Sequence, residues 1–301
     1  MRHVPVLPKE VIEGLNLQAN SNVIDCTLGD AGHAEMILEA AAPAGKLLGI
    51  DADAEAILRA KQYLYNFDER AIFARDNFSN LKNIVAENKF APVNGILIDL
   101  GWSTPQFKER GRGFSFDTDE PLDMRYHALG SDTTAAQIIA DSDEAELEKI
   151  FRTLSEEKLS KEIASAIVVA RKTSPIQTTK QLTEIILQAY RTKLKTDKEI
   201  PWIGGIHPAT LVFQALRIAV NHELDVIKNV LPQAIEVLTS GGRLAVISFH
   251  SLEDRIVKQF FQKENNKSLK IINKKPLIAG EEELKNNPSA RSAKLRVVEK
   301  I

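Results

Sequence analysis

The sequence predicts an α/β protein, a mostly parallel sheet with a helical domain inserted into it, and three observations carry that prediction. Short apolar, strand-like runs alternate with helix-length amphipathic segments through the first hundred residues. After Leu100 that rhythm stops, and helix-like segments dominate until about Asn221. Strand character then returns in "GGRLAVISF", "LKIINKKPL" and "AKLRVVEKI". A crossover between neighbouring parallel strands is short, so the gap from Leu100 to Gly242 must hold an inserted domain. The expected division is residues 1–101 and 222–301 as one discontinuous sheet domain, with residues 102–221 as the helical insertion.

Taken in order, "NVIDCTL", "KLLGID", "AIFARD" and "VNGILIDLG" supply the first strands. The helices between them are "HAEMILEAAA", "DAEAILRAKQYLYNF" and "NFSNLKNIVAEN". The insertion reads as "TAAQIIADSDEAELEKIFRTL", "LSKEIASAIVVARK", "TKQLTEIILQAYRTKLK" and "PATLVFQALRIAVNHEL". Near the end, "IAGEEELKNNPSARS" reads as a mobile surface loop.

Composition bounds the function. With 44% apolar and 27% charged residues in 301, the chain is an ordinary globular protein and needs no disordered region. No secretory leader pattern and no window of membrane-spanning hydropathy occur, so a cytoplasmic protein without a membrane partner is expected. Cys26 is the single cysteine, which excludes an internal disulfide and a thiolate-rich zinc site. The six histidines are scattered without metal-ligand spacing, and no metal is expected. A net charge of −2 leaves room for a local basic groove only.

The chemistry concentrates in "VIDCTLGDAGHA", residues 23–34, a strand end, a turn with Gly29 and Gly32, and a helix start. Such a turn presents unpaired backbone N–H groups where α/β folds hold nucleotide-like ligands. Asp51 ends the second strand, where an acid can accept two hydrogen bonds from a ribose diol; the alternative is that Asp51 or Asp53 only caps the next helix. The glycines are spaced G-x-x-G, so a pyrophosphate cradle is poorly specified and an adenosine compound without phosphates, such as S-adenosylmethionine, fits better. Asp99, at the end of the fourth strand, could accept the protons of an exocyclic amine and aim its lone pair at a sulfonium methyl. It could instead bind the methionine part of the cofactor or satisfy a turn.

Longer blocks carry a resemblance. "HVPVLPKEV" (3–11), "DCTLGDAGH" (25–33), "RGFSFDTDEPLDMR" (112–125), "HPATLVFQALRIAVNHEL" (207–224), "GGRLAVISFHSLEDRIVK" (241–258) and "SARSAKLRV" (289–297) closely resemble the bacterial small-subunit ribosomal RNA cytosine-N4 methyltransferase family, type H, from end to end. The resemblance implies methyl transfer from S-adenosylmethionine to the N4 amine of a cytidine in the decoding region of 16S rRNA, within the small ribosomal subunit. It also implies a class I methyltransferase-like, Rossmann-like sheet of seven strands with a helical insertion. Carried over by position, the cofactor contacts are Ala31, Gly32, His33, Asp51, Phe78, Asp99 and Gln106. The chain departs from the family at Ala31, where a glycine is usual, at Leu211, where arginine is usual, and at Trp102 and Lys108 in "DLGWSTPQFK".

Other residues have two readings. Gln214, Arg217 and Asn221 form a polar stripe on an apolar helix, either a wall of the substrate cleft or a buried hydrogen-bond network. Phe249 could stack on a flipped base and His250 could meet phosphate or base, with Ser251 capping the helix that follows; the plainer alternative is a cap built from Ser251 and Asp254 with His250 in the turn. Arg110, Arg112 and Arg125 flank the "FSF" aromatics, a set suited to gripping single-stranded RNA. Two other functions compete: a nucleotide-dependent dehydrogenase, which needs a pyrophosphate-binding glycine turn, and a non-catalytic nucleoside-binding RNA chaperone.

Overall fold

The computed structural model describes residues 4–100, 111–126, 133–198, 200, 202 and 205–301. The chain divides into two compact units, Met1–Ser103 with Leu224–Ile301, and Thr104–Glu223.

The first unit is built on a sheet of seven strands: β1 (Val23–Asp25), β2 (Leu47–Asp51), β3 (Ala71–Arg75), β4 (Val93–Asp99), β5 (Leu238–Ser248), β6 (Leu269–Ile271) and β7 (Lys294–Lys300). Their order is β3-β2-β1-β4-β5-β7-β6, and β7 runs antiparallel to both of its neighbours. The other pairings are parallel. The chain steps outward from β1 to β3 and then returns to β4, so the direction of winding reverses between β1 and β4. That reversal opens a crevice at the carboxyl ends of these strands. Seven strand-like runs in the sequence and seven strands in the sheet agree because strands covered on both faces read as nearly unbroken apolar runs.

The helices of this unit are α1 (Pro8–Leu15), α2 (Gly32–Ala40), α3 (Ala54–Tyr63) and α4 (Leu81–Glu87) before the insertion. One layer packs Val23, Leu47, Leu97, Ala245 and Leu295 with Val11 and Leu15 of α1, Ile37 of α2 and Ile57 of α3. The opposite layer packs Ile24, Ile50, Ile96, Ile98, Leu244 and Val298 with Leu81 and Ile84 of α4. Adjacent residues such as Ile96 and Leu97 thus enter different layers, as the pleat requires.

The second unit carries α5 (Ala135–Asp141), α6 (Glu144–Ser155), α7 (Ser160–Arg171), α8 (Thr179–Leu194) and α9 (Thr210–Asn221). The segment that reads as one helix from Thr134 breaks into α5 and α6, because Asp143 and Glu146 form a second capping box only nine residues after the box of Thr134 and Gln137. Likewise α9 stops at His222, whose φ of 50° is left-handed, and α10 (Glu223–Val237) begins anew.

The chain then returns to the sheet through β5, α11 (Ser251–Glu264), β6 and β7. The stretch expected to be a mobile loop differs most from its sequence reading. It forms α12 (Glu281–Asn286) and a 3₁₀ turn over Pro288–Ser292. Its order comes from partners far away in sequence: Leu7 N donates to Glu283 Oε1 at 2.6 Å, and Asn287 Nδ2 donates to the carbonyls of Val4 and Pro5 at 3.2 and 3.4 Å. Among the described residues no helix is long and apolar enough to cross a membrane.

A turn in the second unit yields the first prediction. Gly113 has φ +76°, its N–H donates to Glu120 Oε2 at 2.8 Å, and a Cβ added there would lie 2.4 Å from the Pro121 carbonyl oxygen. A Cβ against rigid backbone in a left-handed conformation is penalised twice. Gly113→Ala should therefore lower stability by about 2 kcal/mol or more in urea unfolding. An unchanged midpoint would show that the turn does not need glycine.

Candidate active site

Three strands end in the same dipeptide: Ile24-Asp25 on β1, Ile50-Asp51 on β2 and Ile98-Asp99 on β4. In each, the isoleucine is buried in the core layer and the acid closes the strand at the carboxyl edge. Register staggers them. Asp25 lies level with Gly49 and Leu97, so Asp51 and Asp99 extend two residues, roughly 7 Å, farther toward the crevice.

Asp51 is set by the turn after β1. Its Oδ2 accepts the Gly29 N–H at 2.9 Å and its Oδ1 accepts the Asp53 N–H at 2.8 Å. Burial pushes the Asp51 carboxyl up to about 6, against those two hydrogen bonds, with Asp53 adding repulsion. A carboxylate offers about four lone-pair sites, and the backbone takes one on each oxygen. One site on each oxygen remains for a pair of hydroxyl groups, which is the pattern a ribose diol presents. Asp53 takes the other role anticipated for this pair: it caps α3, accepting from Glu55 and Ala56 N–H at 3.1 and 3.3 Å.

The turn itself divides its labour among three residues. Gly29 has φ +50°, and an added Cβ there would have only the Thr27 carbonyl within 4 Å, at 3.9 Å, so that side of the backbone is open. Gly32 is needed for close packing instead, since its Cβ would lie 3.0 Å from Pro5. Between them Ala31 takes φ 59° and ψ 29° as it opens α2. The left-handed conformation that a glycine would adopt freely is thus imposed on an alanine, a cost of about 1–2 kcal/mol met by burying its methyl completely. Asp30 is tied down by Arg59 Nε at 2.9 Å.

His33 is buried, with Nε2 2.8 Å from the Val6 carbonyl and Nδ1 3.7 Å from Asp99 Oδ2. It joins the N-terminal segment to the end of β4. Phe78, in the 3₁₀ turn Phe78–Asn80 after β3, is half-buried against the core layer of β2 and β4. Asp76 N donates to the Asp51 carbonyl at 3.2 Å and brings that turn alongside the end of β2. Ala31, Gly32, His33, Asp51, Phe78 and Asp99 therefore belong to one strip along the carboxyl edge of β1, β2, β3 and β4. Gln106, Trp102, Lys108 and Arg110 lie outside the described residues.

Two residues of this strip escaped the sequence reading. Asp25 is fully buried, and desolvation pushes its carboxyl up to about 7, with the Asp51 charge adding to the rise. Its Oδ1 accepts the Thr27 N–H at 3.0 Å and faces Thr27 Oγ1 at 3.4 Å. Thr27 Oγ1 in turn accepts the Asp99 N–H at 2.8 Å. The thrice-repeated Ile-Asp strand end was a visible signal for Asp25. Neighbouring Cys26 is buried, and its thiol is pushed well above its ordinary value by desolvation first and by the Asp25 charge second.

After β5 the structure redistributes the roles expected of "SFHSLEDR". His250 rather than Ser251 caps α11, in a reciprocal box: Glu253 N donates to His250 Nδ1 at 3.4 Å, while Glu253 Oε2 accepts from Phe249 and His250 N–H at 2.8 and 3.2 Å. Asp254 is drawn away from any capping role by a bidentate pair with Arg296, at 2.6 and 3.1 Å. The Phe249 side chain packs against the core layer of α1 to α3.

In the second unit, Arg217 and Asn221 sit in a hydrogen-bond network. Arg217 is buried and donates to both oxygens of Glu223, at 2.9 and 3.0 Å. Tyr126 OH donates to Glu223 Oε1 at 2.8 Å, and Asn221 accepts the Tyr126 N–H at 2.9 Å while donating to the Met124 and Arg217 carbonyls. Gln214 is half-buried on the same helix. Arg125 forms a bidentate pair with Asp123 at 2.8 and 2.7 Å, and Arg112 donates to the Arg125 and Tyr126 carbonyls at 3.3 and 3.4 Å. The "FSF" aromatics have partners too. Phe114 stacks on Tyr126 with centroids 5.8 Å apart, and Phe116 lies between His207 and Phe213 at 4.6 and 5.2 Å.

Comparison with known proteins gives a consistent answer along the whole length. The MraW methylase family matches residues 1–301. The chain is 44% identical to the ribosomal RNA small subunit methyltransferase H of Dehalococcoides mccartyi over 99% of its own length and 86% of that protein. It is 42% identical to the protein of the same name from Brevibacillus brevis, covering 99% of this chain and 98% of that one. The Syntrophotalea carbinolica protein of that name is 43% identical over all of this chain and 98% of its own. A match of this length, on a sheet whose carboxyl edge is equipped as described, has one reading: the chain belongs to the MraW methylase family.

Proposed function

We propose that this chain transfers the methyl group of S-adenosylmethionine to the exocyclic N4 amine of a cytidine in the decoding region of small-subunit rRNA. The observation that carries the reading is the Asp51 carboxylate, which keeps one lone-pair site free on each oxygen beside an open glycine turn. Whole-length likeness to proteins named ribosomal RNA small subunit methyltransferase H supports the substrate.

The residues present fit this cofactor. Asp51 would hold the ribose diol, Phe78 would lie against the adenine, and the backbone from Ala31 to His33 at the start of α2 would meet the methionine end. When bound, S-adenosylmethionine supplies a methyl group activated by its sulfonium. A cytosine amine is a weak nucleophile, because its lone pair is delocalised into the ring, so the protein's contribution is positional. Asp99 would accept an amine hydrogen and turn the nitrogen toward the methyl carbon, and it would take the proton released as the N–C bond forms. Its own backbone is fixed by Thr27. The helical unit would select the RNA, through Arg112, Arg125 and Gln214, with Arg217 and Asn221 holding the fold of that unit. His250 follows β5 at the same edge as the acids and would approach the target base, held there by Phe249, whose ring packs on the core layer beneath. A dehydrogenase lacks support, since the turn offers no pyrophosphate cradle.

Labelled cofactor and unmodified small ribosomal subunits, followed by mass spectrometry of the digested RNA, test this function. N4-methylcytidine is expected; binding without turnover would favour an RNA chaperone instead.

Asp51→Ala should weaken cofactor binding by about 1.5–3 kcal/mol, roughly 10- to 150-fold, in calorimetry. The hydroxyls donate to the ionised carboxylate, and its free-state value is about 6. Affinity in the native protein should therefore fall about tenfold between pH 8 and pH 5, and the alanine variant should lose that dependence.

Asp25 makes an opposite demand on stability. Its folded-state value of about 7 lies above the ordinary 3.8, so the folded protein binds more protons than the unfolded chain between those limits. Stability therefore falls as pH rises through this window. Asp25→Asn should unfold at higher temperature than the native protein at pH 8, by an amount equivalent to about 1–3 kcal/mol, and the gap should close toward pH 4. A pH-independent gap would assign the effect elsewhere.

Transfer to an amine needs no covalent intermediate, whereas transfer to carbon C5 needs an activated cysteine. Buried Cys26, with its raised thiol, does not suit that task. Cys26→Ser should keep methyl transfer within about tenfold, with the methyl still on N4. A folded, cofactor-binding variant that has lost all transfer would sink the amine mechanism.

A further inference from the structure

Between Asn265 and Gly280 the sequence holds four lysines, Lys267, Lys270, Lys274 and Lys275, and no acid, in a chain whose net charge is −2. All four are exposed. Several other basic side chains of this unit meet carboxylates, as in Arg59 with Asp30, Lys82 with Glu236, Arg243 with Glu299 and Arg296 with Asp254. Among the described residues these four lysines have no such partner.

Topology places two of them at the same carboxyl edge of the sheet as the acids, three strands along from Asp99. β6 and β5 both pair antiparallel with β7, so β6 points the same way as β5 and its chain leaves at the carboxyl edge. Ile272 N donates to the Val297 carbonyl, and farther along Leu277 exchanges both backbone hydrogen bonds with Leu295 at 2.9 Å. Leu295 is level with Ile247, two residues before Phe249. Lys274 and Lys275 occupy the bend between these contacts, about two strand spacings, or roughly 10 Å, to the side of β5. Asn273 fixes the bend: its Nδ2 donates to the Lys275 and Leu295 carbonyls at 2.8 and 3.0 Å, and its Oδ1 accepts the Val297 N–H at 2.7 Å.

We infer that Lys274 and Lys275 form a phosphate-contacting rail on the methyltransferase unit, which grips the rRNA backbone next to the target cytidine. The inference rests on the rRNA reading above. A pair of flexible ammonium groups on a rigid bend suits a polyanion whose register must be held without reading its bases. Because the chain as a whole is slightly acidic, attraction to RNA must come from such local segments. Lysines on a sheet edge also deter pairing with other chains, and that is the competing role.

The test uses the full chain with Lys274→Gln and Lys275→Gln together, titrated with unmodified small-subunit rRNA at several salt concentrations. A control changes Lys46→Gln and Lys89→Gln, exposed lysines ahead of β2 and β4 at the opposite edge of the sheet. The rail predicts about tenfold weaker RNA binding near 0.15 M salt and a log–log salt slope smaller by about 1.5, with cofactor affinity unchanged and the control at native values. Unchanged RNA affinity and slope, an equal loss in the control, or a loss of solubility without a loss of RNA affinity would each overturn the rail. If the native protein neither binds nor methylates rRNA, the substrate reading falls as well; if it methylates and the double variant matches it, the rail falls alone.

Discussion

Ending β1 with a buried carboxylate and β2 with a half-buried one sets a desolvation cost that the neighbouring backbone only partly offsets. Asp25 and Asp51 are both raised by burial, Asp25 further by the Asp51 charge and Asp51 further by Asp53. Everything nearby is arranged around those two charges. The turn after β1 must curl back so that Gly29 and Thr27 can donate to them, which fixes the left-handed residues and the entry of α2. The end of β2 must bend so that the Asp53 N–H reaches Asp51, which fixes the start of α3. The isoleucine before each acid anchors it from below, so the sheet cannot relax to expose the charge without emptying the core.

The same constraint connects the three strands. Asp25 holds Thr27, and Thr27 holds the backbone of Asp99. His33 lies between Asp99 and the Val6 carbonyl. A displacement of the turn is therefore felt at β4 and at the N-terminal segment together. A stiff arrangement of this sort is what a positional mechanism requires, because misplacement of about an ångström between donor carbon and acceptor nitrogen is costly in rate.

The sheet was legible because buried parallel strands leave continuous apolar runs, and because "VIDCT", "GIDAD" and "LIDLG" each mark a strand end with an acid. The inserted unit was legible as helical but not in its breaks. The Asp143 and Glu146 box lay inside an amphipathic pattern that continues across it. The roles of Arg217 and Asn221 could not be decided from their own helix, since the acceptor Glu223 and the donor Tyr126 lie beyond its ends. Residues 281–292 read as a loop from their Asn, Pro and Ser content, while what orders them is bonding to Leu7, Val4 and Pro5. Ala31 shows the reverse limit: the conformation belongs to the turn, and the residue adopts it because the fold leaves no other path.

β7, the last strand in the sequence, stands inside the sheet between β5 and β6. During synthesis β6 has no partner until β7 follows it, and β5 presents an open edge for the same interval. The cover over the glycine turn after β1 waits as well, because Asn287 holds the Val4 and Pro5 carbonyls and Pro5 is what packs on Gly32. The sheet and the turn's packing are therefore completed almost simultaneously, once β7 has been made. A chain that stops before β7 keeps an apolar sheet edge exposed to other nascent chains, so truncation there should be read out as aggregation before it is read out as lost activity.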